Sequence, residues 1–299
     1  MSKAYMHIPV LLDQSVSQLI KKTDGIYVDV TFGGGGHSRE ILKRLSSQGK
    51  LFAFDTDLEV QNNIIDDKRF QLIHSNFRYL KKYLKYFGIN EVDGILADLG
   101  VSSYHLDENE RGFSFQSDYP LDMRMNSEQE FNAEDVLMNY SEEQLIRVWT
   151  DYAEITNAKK IAPQWIQARK SMRIRKCSEF ANWLSPFIYG PRNKFLAKIF
   201  QGLRIEVNQE MVCLQEMLQQ SEELLSSGSR LVVLSYHSLE DRMVKQFVKG
   251  DIENELNLVA KENRKRFKII NKDIIVADDE ELIKNTRSRS VKMRVAEKI

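Results

Sequence analysis

Short apolar runs alternate with helical patterns over the first hundred residues. Four runs have the length and composition of buried β-strands, and they cover residues 27–32, 51–54, 70–73 and 94–97. The helix after the first run is predicted to begin at Ser38, because serine is a good N-cap and Ile41 and Leu45 follow on one face. Strands that alternate with helices in this way predict an α/β fold with a mostly parallel, doubly wound sheet.

This alternation stops after the fourth run and is replaced by helical spacing alone. Residues 141–144 form a capping box, after which Leu145, Val148 and Trp149 recur on one helical face. We expect the three tryptophans to fill the core of this all-helical insertion, and they are Trp149, Trp165 and Trp183.

The α/β pattern resumes with a helix over residues 208–225, for which Gly228 is the predicted C-terminal cap. A buried strand over 230–235 follows, and residues 267–276 and 290–296 form a final strand pair. The sequence therefore predicts one α/β domain, residues 1–104 and 205–299, divided by a helical insertion over 105–204.

Composition places the chain among ordinary globular proteins. Of its 299 residues, 42% are hydrophobic and 29% charged, and no apolar run is long enough to cross a bilayer or to form a secretory signal. Two cysteines and five scattered histidines give no disulfide framework and no metal-ligand spacing. We therefore expect a cytoplasmic protein without a catalytic metal, and nothing in the sequence indicates a membrane or an obligate protein partner.

The neutral net charge conceals two neighbouring blocks of opposite sign. Residues 91–156 contain 16 acidic and 3 basic side chains, whereas residues 157–205 contain 11 basic side chains and one acid. A basic block of this density favours a nucleic-acid substrate, since each cation near a phosphate releases a counterion. The candidate phosphate contacts are Arg169, Lys170, Arg173, Arg175 and Lys176. Pairing of the two blocks with each other on adjacent helices is the alternative.

The residues that suggest chemistry follow the predicted strands, where open parallel sheets bind ligands. Glycines at 33–36 follow the first strand, and Asp55 lies twenty residues after Gly35, the usual spacing of an acid that binds a ribose. The sixth position of a dinucleotide fingerprint is Ser38 instead of glycine, and a phosphate-binding loop would need lysine where His37 stands. The pattern therefore favours S-adenosylmethionine over a pyrophosphate cofactor. A nicotinamide-dependent oxidoreductase and a non-enzymatic RNA-binding factor remain alternatives.

Several unusual strings, in one order along nearly the whole chain, carry a family resemblance. They include Thr-Phe-Gly-Gly-Gly-Gly-His-Ser at 31–38, Asp-Leu-Gly-Val-Ser-Ser at 98–103 and His-Ser-Leu-Glu-Asp-Arg at 237–242. The sequence resembles the S-adenosylmethionine-dependent methyltransferases that modify the exocyclic N4 of a cytidine in bacterial 16S ribosomal RNA. The resemblance implies a class I, Rossmann-like methyltransferase fold whose helical insertion over 105–204 recognises the RNA. It also implies 16S ribosomal RNA or the small ribosomal subunit as the substrate.

The resemblance also implies which residues hold the cofactor. These are Gly35, Gly36 and His37 in the loop, Asp55 at the ribose, Phe77 near the adenine and Asp98 beside the methionine end. The family has a cofactor-contacting glutamine preceded by proline, but here Tyr104 and His105 occupy these places. A side-chain amide can donate and accept hydrogen bonds at the same time, whereas an imidazole nitrogen does only one or the other. The predicted contact of His105 with the cofactor therefore differs from that of the family's glutamine.

Two side chains are candidates for handling the proton of the amine. Asp98 is the first, because an acceptor next to the N4 amine localises its lone pair; His237 is the second. Each has a structural alternative: Asp98 binds only the cofactor, or His237 only braces its loop. Methylation at carbon 5 would instead need a cysteine nucleophile, and neither Cys177 nor Cys213 lies in a suitable position. The candidate stacking platforms for the base are Phe113, Phe115 and Tyr236.

Overall fold

The computed structural model describes residues 9–100, 109–250, 266–271 and 273–299 and divides the chain into two compact units. The first unit contains residues 1–100 and 212–299, and the second contains residues 101–211. The chain therefore leaves the first unit four residues before the boundary expected at 104 and returns seven residues after the one expected at 204.

A seven-stranded sheet with the strand order β3-β2-β1-β4-β5-β7-β6 forms the centre of the first unit. The strands are β1 (Ile26–Asp29), β2 (Lys50–Asp55), β3 (Phe70–His74), β4 (Val92–Asp98), β5 (Leu225–Ser235), β6 (Phe267–Ile269) and β7 (Lys292–Lys298). The first five strands pair in parallel, and β7 runs antiparallel to both of its neighbours. The predicted mostly parallel α/β sheet is confirmed, and its strand order reverses between β1 and β4.

Eleven α-helices are present among the described residues, besides short 3₁₀ and π-helical turns. In chain order they are α1 (Leu12–Leu19), α2 (Gly36–Arg44), α3 (Leu80–Tyr86), α4 (Ala133–Asn139), α5 (Glu142–Arg147), α6 (Ala158–Ala168), α7 (Cys177–Trp183), α8 (Arg192–Asn208), α9 (Glu210–Leu224), α10 (Ser238–Lys249) and α11 (Asp279–Lys284). None of them is both long enough and apolar enough to cross a membrane.

The central strands are covered on both faces of the sheet. Ile95, Leu96 and Ala97 follow one another in β4 and are all fully buried, although successive side chains point to opposite faces. The apolar sides of α1 and α2 join the core on one face through residues such as Val16 and Ile41. Polar residues that follow these strands are therefore confined to the edge of the sheet where the strands end.

Two predicted helix caps are wrong. Helix α2 begins two residues before Ser38, because Gly35 adopts the left-handed conformation (φ +74°) and serves as the N-cap. The Ser38 hydroxyl instead donates to the buried Asp29 carboxylate at 2.7 Å. Gly228 does not end a helix, since α9 passes directly into β5, and this glycine lies at φ +82° where the register between β4 and β5 shifts.

The last two strands pair as predicted, in antiparallel orientation, but the first of them is shorter than expected. β6 covers only Phe267–Ile269 of the range 267–276. Further along the chain, Ile275 pairs with Met293 of β7 in an isolated bridge. An edge strand has one partner only, so its length follows from that pairing and not from its apolar composition.

The second unit is helical around one apolar core, as the spacing predicts. Ser141 and Gln144 form the predicted capping box at the start of α5. Trp149 and Trp165 are fully buried in the core, and Trp183 packs against it while partly exposed. The indole nitrogen of Trp165 donates to the Leu137 carbonyl at 2.7 Å, which satisfies the polar atom that burial would otherwise leave unpaired.

Candidate active site

The candidate residues of the first unit lie where parallel strands end. Asp55 is the last residue of β2, Asp98 is the last residue of β4, and Tyr236 and His237 come directly after β5. Since parallel strands end at one edge of the sheet, these side chains share the edge at which open α/β sheets bind ligands.

The turn between β1 and α2 is built around close backbone approaches. A Cβ added to Gly36 would lie 2.1 Å from the Cγ of Pro9, and Gly35 has a positive φ that favours glycine. A Cβ on Gly34 would meet no atom within 4 Å, so open space lies beside the middle of the turn. No side chain caps α2, and the amides of its first turn can therefore receive the polar atoms of a ligand.

Asp55 is held by backbone amides on both oxygens of its carboxylate. The Gly33 amide donates to Oδ2 at 2.8 Å, and the Asp57 amide donates to Oδ1 at 2.9 Å. Each carboxylate oxygen can accept a further hydrogen bond, which is what two adjacent ribose hydroxyls require. The fixed carboxylate next to a glycine turn fits a nucleoside cofactor.

The turn that carries Phe77 is attached to the same edge of the sheet. The Ser75 amide donates to the Asp55 carbonyl at 2.8 Å, and Phe77 begins a short 3₁₀ turn two residues later. Asn76 caps this turn by accepting from the Arg78 amide at 2.9 Å. The half-buried Phe77 ring therefore follows β3 closely, although its predicted contact with an adenine stays a prediction.

Asp98 contacts groups from three parts of the chain. Its amide donates to the Thr31 hydroxyl at 2.7 Å, its Oδ1 accepts from the Tyr236 hydroxyl at 2.6 Å, and its Oδ2 lies 3.6 Å from Nδ1 of His37. Burial raises the pKa of the Asp98 carboxyl, while the charge of His37 and the hydrogen bond from Tyr236 act in the opposite direction. The side chain is still 22% exposed, so its carboxylate remains accessible to a reacting group.

The partners of Asp98 define where the protons lie. Burial and the neighbouring Asp98 raise the pKa of Tyr236 well above its ordinary value, so this hydroxyl stays protonated and donates. Nε2 of the buried His37 lies 3.2 Å from the Val10 carbonyl, which can only accept, so Nε2 carries a hydrogen. The other nitrogen, Nδ1, faces Asp98 at 3.6 Å from its Oδ2, beyond direct hydrogen-bond distance.

His237 caps helix α10 and is held by Glu240. Its Nδ1 accepts from the Glu240 amide at 3.4 Å, and its Nε2 lies 3.1 Å from the Glu240 carboxylate. The same carboxylate accepts from the amides of Tyr236 and His237. The structure thus brings His37, Asp98 and Tyr236 together. The imidazole of His237 contacts Glu240 of the same unit. A catalytic role for His237 stays a prediction, and His105, with Tyr104, lies outside the described residues.

Sequence reasoning missed the supporting groups of this site. Tyr236 was expected as a stacking platform, whereas its hydroxyl is bound to Asp98. Asp29 and Glu240 were not selected, although both are buried carboxylates, at 0% and 3% exposure. Their position was the available signal: Asp29 is the last residue of β1, and Glu240 lies in the first turn of α10, three residues after the candidate His237.

The predicted phosphate contacts of the second unit divide into two groups. Arg169 donates to the carbonyls of Leu137 and Tyr140, so its role is structural. Arg173 pairs with Glu134 and Lys176 pairs with Asp118, both at 2.7–2.8 Å, as the alternative of pairing between the charge blocks predicts. The remaining two, Lys170 and Arg175, are exposed cations that form no ion pair with another described residue.

Phe113 and Phe115, the predicted stacking platforms of the second unit, contribute to its packing. Both rings pack against the core of the second unit, and Phe115 meets Phe200 edge to face at 6.0 Å between centroids. Partly buried rings of this kind stabilise the helical core, and their contact with a base stays a prediction.

The strand order, the glycine turn after β1 and the fixed acid at the end of β2 together define the class I, S-adenosylmethionine-dependent methyltransferases. Comparison with known families agrees: the chain belongs to the MraW methylase family, whose model matches residues 4–299. This membership excludes the nicotinamide-dependent oxidoreductase that the glycine turn alone left open.

Relatives that are similar over their whole length carry one common name, ribosomal RNA small subunit methyltransferase H. The protein of that name from Flavobacterium johnsoniae is 51% identical over 296 residues, which is 98% of each chain. The one from Bacteroides fragilis is 50% identical over 295 residues, covering 98% of this chain and 97% of its own.

Proposed function

We propose that this protein transfers a methyl group from S-adenosylmethionine to the exocyclic N4 of a cytidine in 16S ribosomal RNA of the small subunit. The observation that carries the proposal is Asp98, a partly exposed carboxylate at the end of β4, fixed by Tyr236 on the edge that holds the glycine turn and Asp55. The names of the relatives support the substrate.

The chain supplies a binding site for the cofactor and an acceptor for the amine. When bound, S-adenosylmethionine supplies a methyl group on a sulfonium, which needs an aligned nucleophile and little other assistance. The first-turn amides of α2 and the Asp55 carboxylate would hold its polar ends, and Phe77 would flank its adenine. Open space lies beside Gly34 in this turn, whereas Gly35 and Gly36 lie against Phe32 and Pro9 and leave no room for a side chain.

Asp98 acts on the nucleophile. The N4 amine of cytosine is a poor nucleophile, because its lone pair is delocalised into the ring. A hydrogen bond from N4 to Oδ2 of Asp98 localises that lone pair and gives the departing proton an acceptor. Burial raises the pKa of Asp98, so the carboxylate is a stronger base than an exposed aspartate.

The state of the cysteines favours amine methylation over methylation at carbon 5. Attack on the pyrimidine ring requires a thiolate. Burial raises the pKa of the Cys177 thiol to about 12, and its sulfur lies 3.3 Å from the Gly112 carbonyl. Cys213 is also buried, at 2% exposure. Neither side chain is available as a nucleophile, which argues against methylation at carbon 5.

Mass-spectrometric mapping of modified nucleosides tests the proposal. Free ribosomal RNA and small ribosomal subunits from cells that lack the protein are compared before and after incubation with the purified protein and isotopically labelled cofactor. We expect label on N4 of one cytidine in 16S RNA. Label on carbon 5 or on another base, or no label from a folded protein that binds S-adenosylhomocysteine, contradicts the proposal. The last result would favour a non-enzymatic RNA-binding factor.

A further inference from the structure

An open depression on the second unit is lined by amide and aromatic side chains. It has a volume of about 600 Å³ and no charged residue in its lining. The side chains that matter are Gln164, Gln167, Asn182, Trp183, Pro186 and Phe187, from α6, α7 and the turn that follows. None of the features of the cofactor site described above uses these residues.

The aromatic part of this depression is rigid. Trp183 meets Trp165 edge to face at 4.9 Å between ring centroids, and Phe187 packs against Trp183 at 5.1 Å. Trp183 and Phe187 are nevertheless only partly buried, so part of each ring faces solvent. Rings that are already fixed can stack on a base with little loss of conformational entropy, and every nucleobase offers a face for stacking.

The polar part of the depression suits the edge of an unpaired base. Gln164, Gln167 and Asn182 are exposed, and each side-chain amide offers both a donor and an acceptor. Bases in single-stranded RNA expose donors and acceptors on their pairing edges, where proteins read them. Amides beside fixed rings are therefore a combination expected for a nucleotide, whereas a purely apolar peptide contact would leave these amides unused.

Two lysines lie beside the depression. Nζ of Lys170 lies 3.1 Å from the side-chain oxygen of Gln167, and Lys160 precedes Gln164 by one turn on the same face of α6. Glu179 is the one acid within residues 157–205, and its carboxylate accepts from two backbone amides at the start of α7. Exposed lysines beside a base-sized depression can contact the phosphates of the same strand.

We propose that this depression binds an unpaired nucleotide of the substrate RNA, distinct from the cytidine that is methylated. The inference rests on the proposed function for the identity of the RNA. The nucleotide is a separate one because the lining contains no carboxylate or histidine that could accept the proton of the amine.

Tryptophan fluorescence tests the aromatic part of the proposal. Trp149 and Trp165 are fully buried, so a ligand at this surface acts on the emission of Trp183. We expect a short mixed-sequence single-stranded RNA to quench the emission, and the same sequence in a duplex to have a much smaller effect. The variant Trp183→Phe should lose the response. Quenching that persists in Trp183→Phe overturns the assignment.

Exposed amides test the polar part without disturbing the core. The double variant Gln164→Ala/Asn182→Ala should bind unmethylated 16S RNA about tenfold more weakly, the effect of losing one or two hydrogen bonds to a base. Gln116→Ala is the matched control, since Gln116 is an exposed amide of the same unit outside the depression. Equal RNA affinity for the wild type, the control and the double variant overturns the proposal.

Two further measurements separate this inference from the proposed function. Weaker RNA binding by the double variant, with no methylation by the wild type, contradicts the proposed function and supports the nucleotide site. Methylation and RNA affinity at wild-type values in the double variant contradict the site and leave the function intact. Quenching of Trp183 by ribosomal proteins of the small subunit, and not by RNA, assigns the depression to a protein and overturns the proposal.

Discussion

At the scale of single residues, the pKa of Asp98 results from opposing contributions. Burial raises it, and the charge of His37 and the hydrogen bond from Tyr236 lower it. The carboxyl therefore responds to substitutions of neighbours that do not touch the substrate. Its protonated form cannot take up the proton of the N4 amine, so the rate of methyl transfer reports the state of Asp98.

Replacement of Tyr236 by phenylalanine should move the acidic limb of the rate profile to higher pH. The hydrogen bond from Tyr236 lowers the pKa of Asp98; without it the pKa rises, and the carboxylate is lost earlier as the pH falls. The measurement is the single-turnover rate as a function of pH with saturating cofactor. Tyr86→Phe, at an exposed tyrosine of the same unit, is the control and should leave the profile unchanged. An unshifted limb in Tyr236→Phe would remove Asp98 as the group that titrates.

The substitution Asp98→Asn removes the base and keeps the size of the side chain. We expect the single-turnover rate to fall by about 10²- to 10⁴-fold, the range for loss of general base catalysis. The melting temperature should stay near that of the wild type, since the amide oxygen can still accept from Tyr236. A rate within a factor of a few of the wild type, in a folded variant, would show that Asp98 does not handle the proton.

At the scale of elements, the start of α2 depends on glycine at positions 35 and 36, where a side chain would meet neighbouring atoms. Gly36→Ala places a methyl group 2.1 Å from the Cγ of Pro9, whereas the same change at Gly34 meets open space. We expect Gly36→Ala to lose about 1–3 kcal/mol of unfolding free energy by overpacking and to bind S-adenosylhomocysteine more weakly. Gly34→Ala should keep the stability of the wild type. Denaturant unfolding and calorimetric titration check both, and equal stability of the two variants would contradict the close contact.

The elements differ in how far local sequence determines them. The strands β2, β3 and β4 and the capping box at Ser141 follow from apolar runs and from side chains within one turn. The cap at Ser38 was wrong because Gly35, which takes a positive φ, ends the turn first. Likewise, β5 starts at Leu225 because that residue pairs with Val92, more than a hundred residues away. Pairing over such distances leaves no periodicity in the sequence.

The same distinction applies to the site. Asp55 and Asp98 could be placed at one edge from the strands that precede them. The hydrogen bond from Tyr236 to Asp98 joins residues 138 positions apart, and its existence depends on the adjacency of β4 and β5. Contacts of that kind need the strand order, which the sequence pattern alone does not provide.

At the scale of the whole molecule, some cations of the basic block pair with acids of the neighbouring block, and others stay available to RNA. Lys170 and Arg175 stay exposed, whereas Arg173 and Lys176 pair with acids of the neighbouring block. The double variant Lys170→Gln/Arg175→Gln should lower the slope of log K against log salt for single-stranded RNA by roughly 0.7 for each phosphate that is no longer neutralised. Lys85→Gln, an exposed lysine of the first unit, is the control. An unchanged slope would exclude both cations from phosphate binding.

The placement of the tryptophans makes their fluorescence a signal of the second unit alone. All three lie between residues 101 and 211, so their emission follows the melting of the insertion. A cofactor analogue stabilises the first unit, which contains no tryptophan. Scanning calorimetry and fluorescence, run with and without S-adenosylhomocysteine, thereby report on different halves of one molecule. A ligand-induced shift seen by both probes means that the units unfold as one cooperative system. A shift confined to the heat signal means that the insertion melts independently.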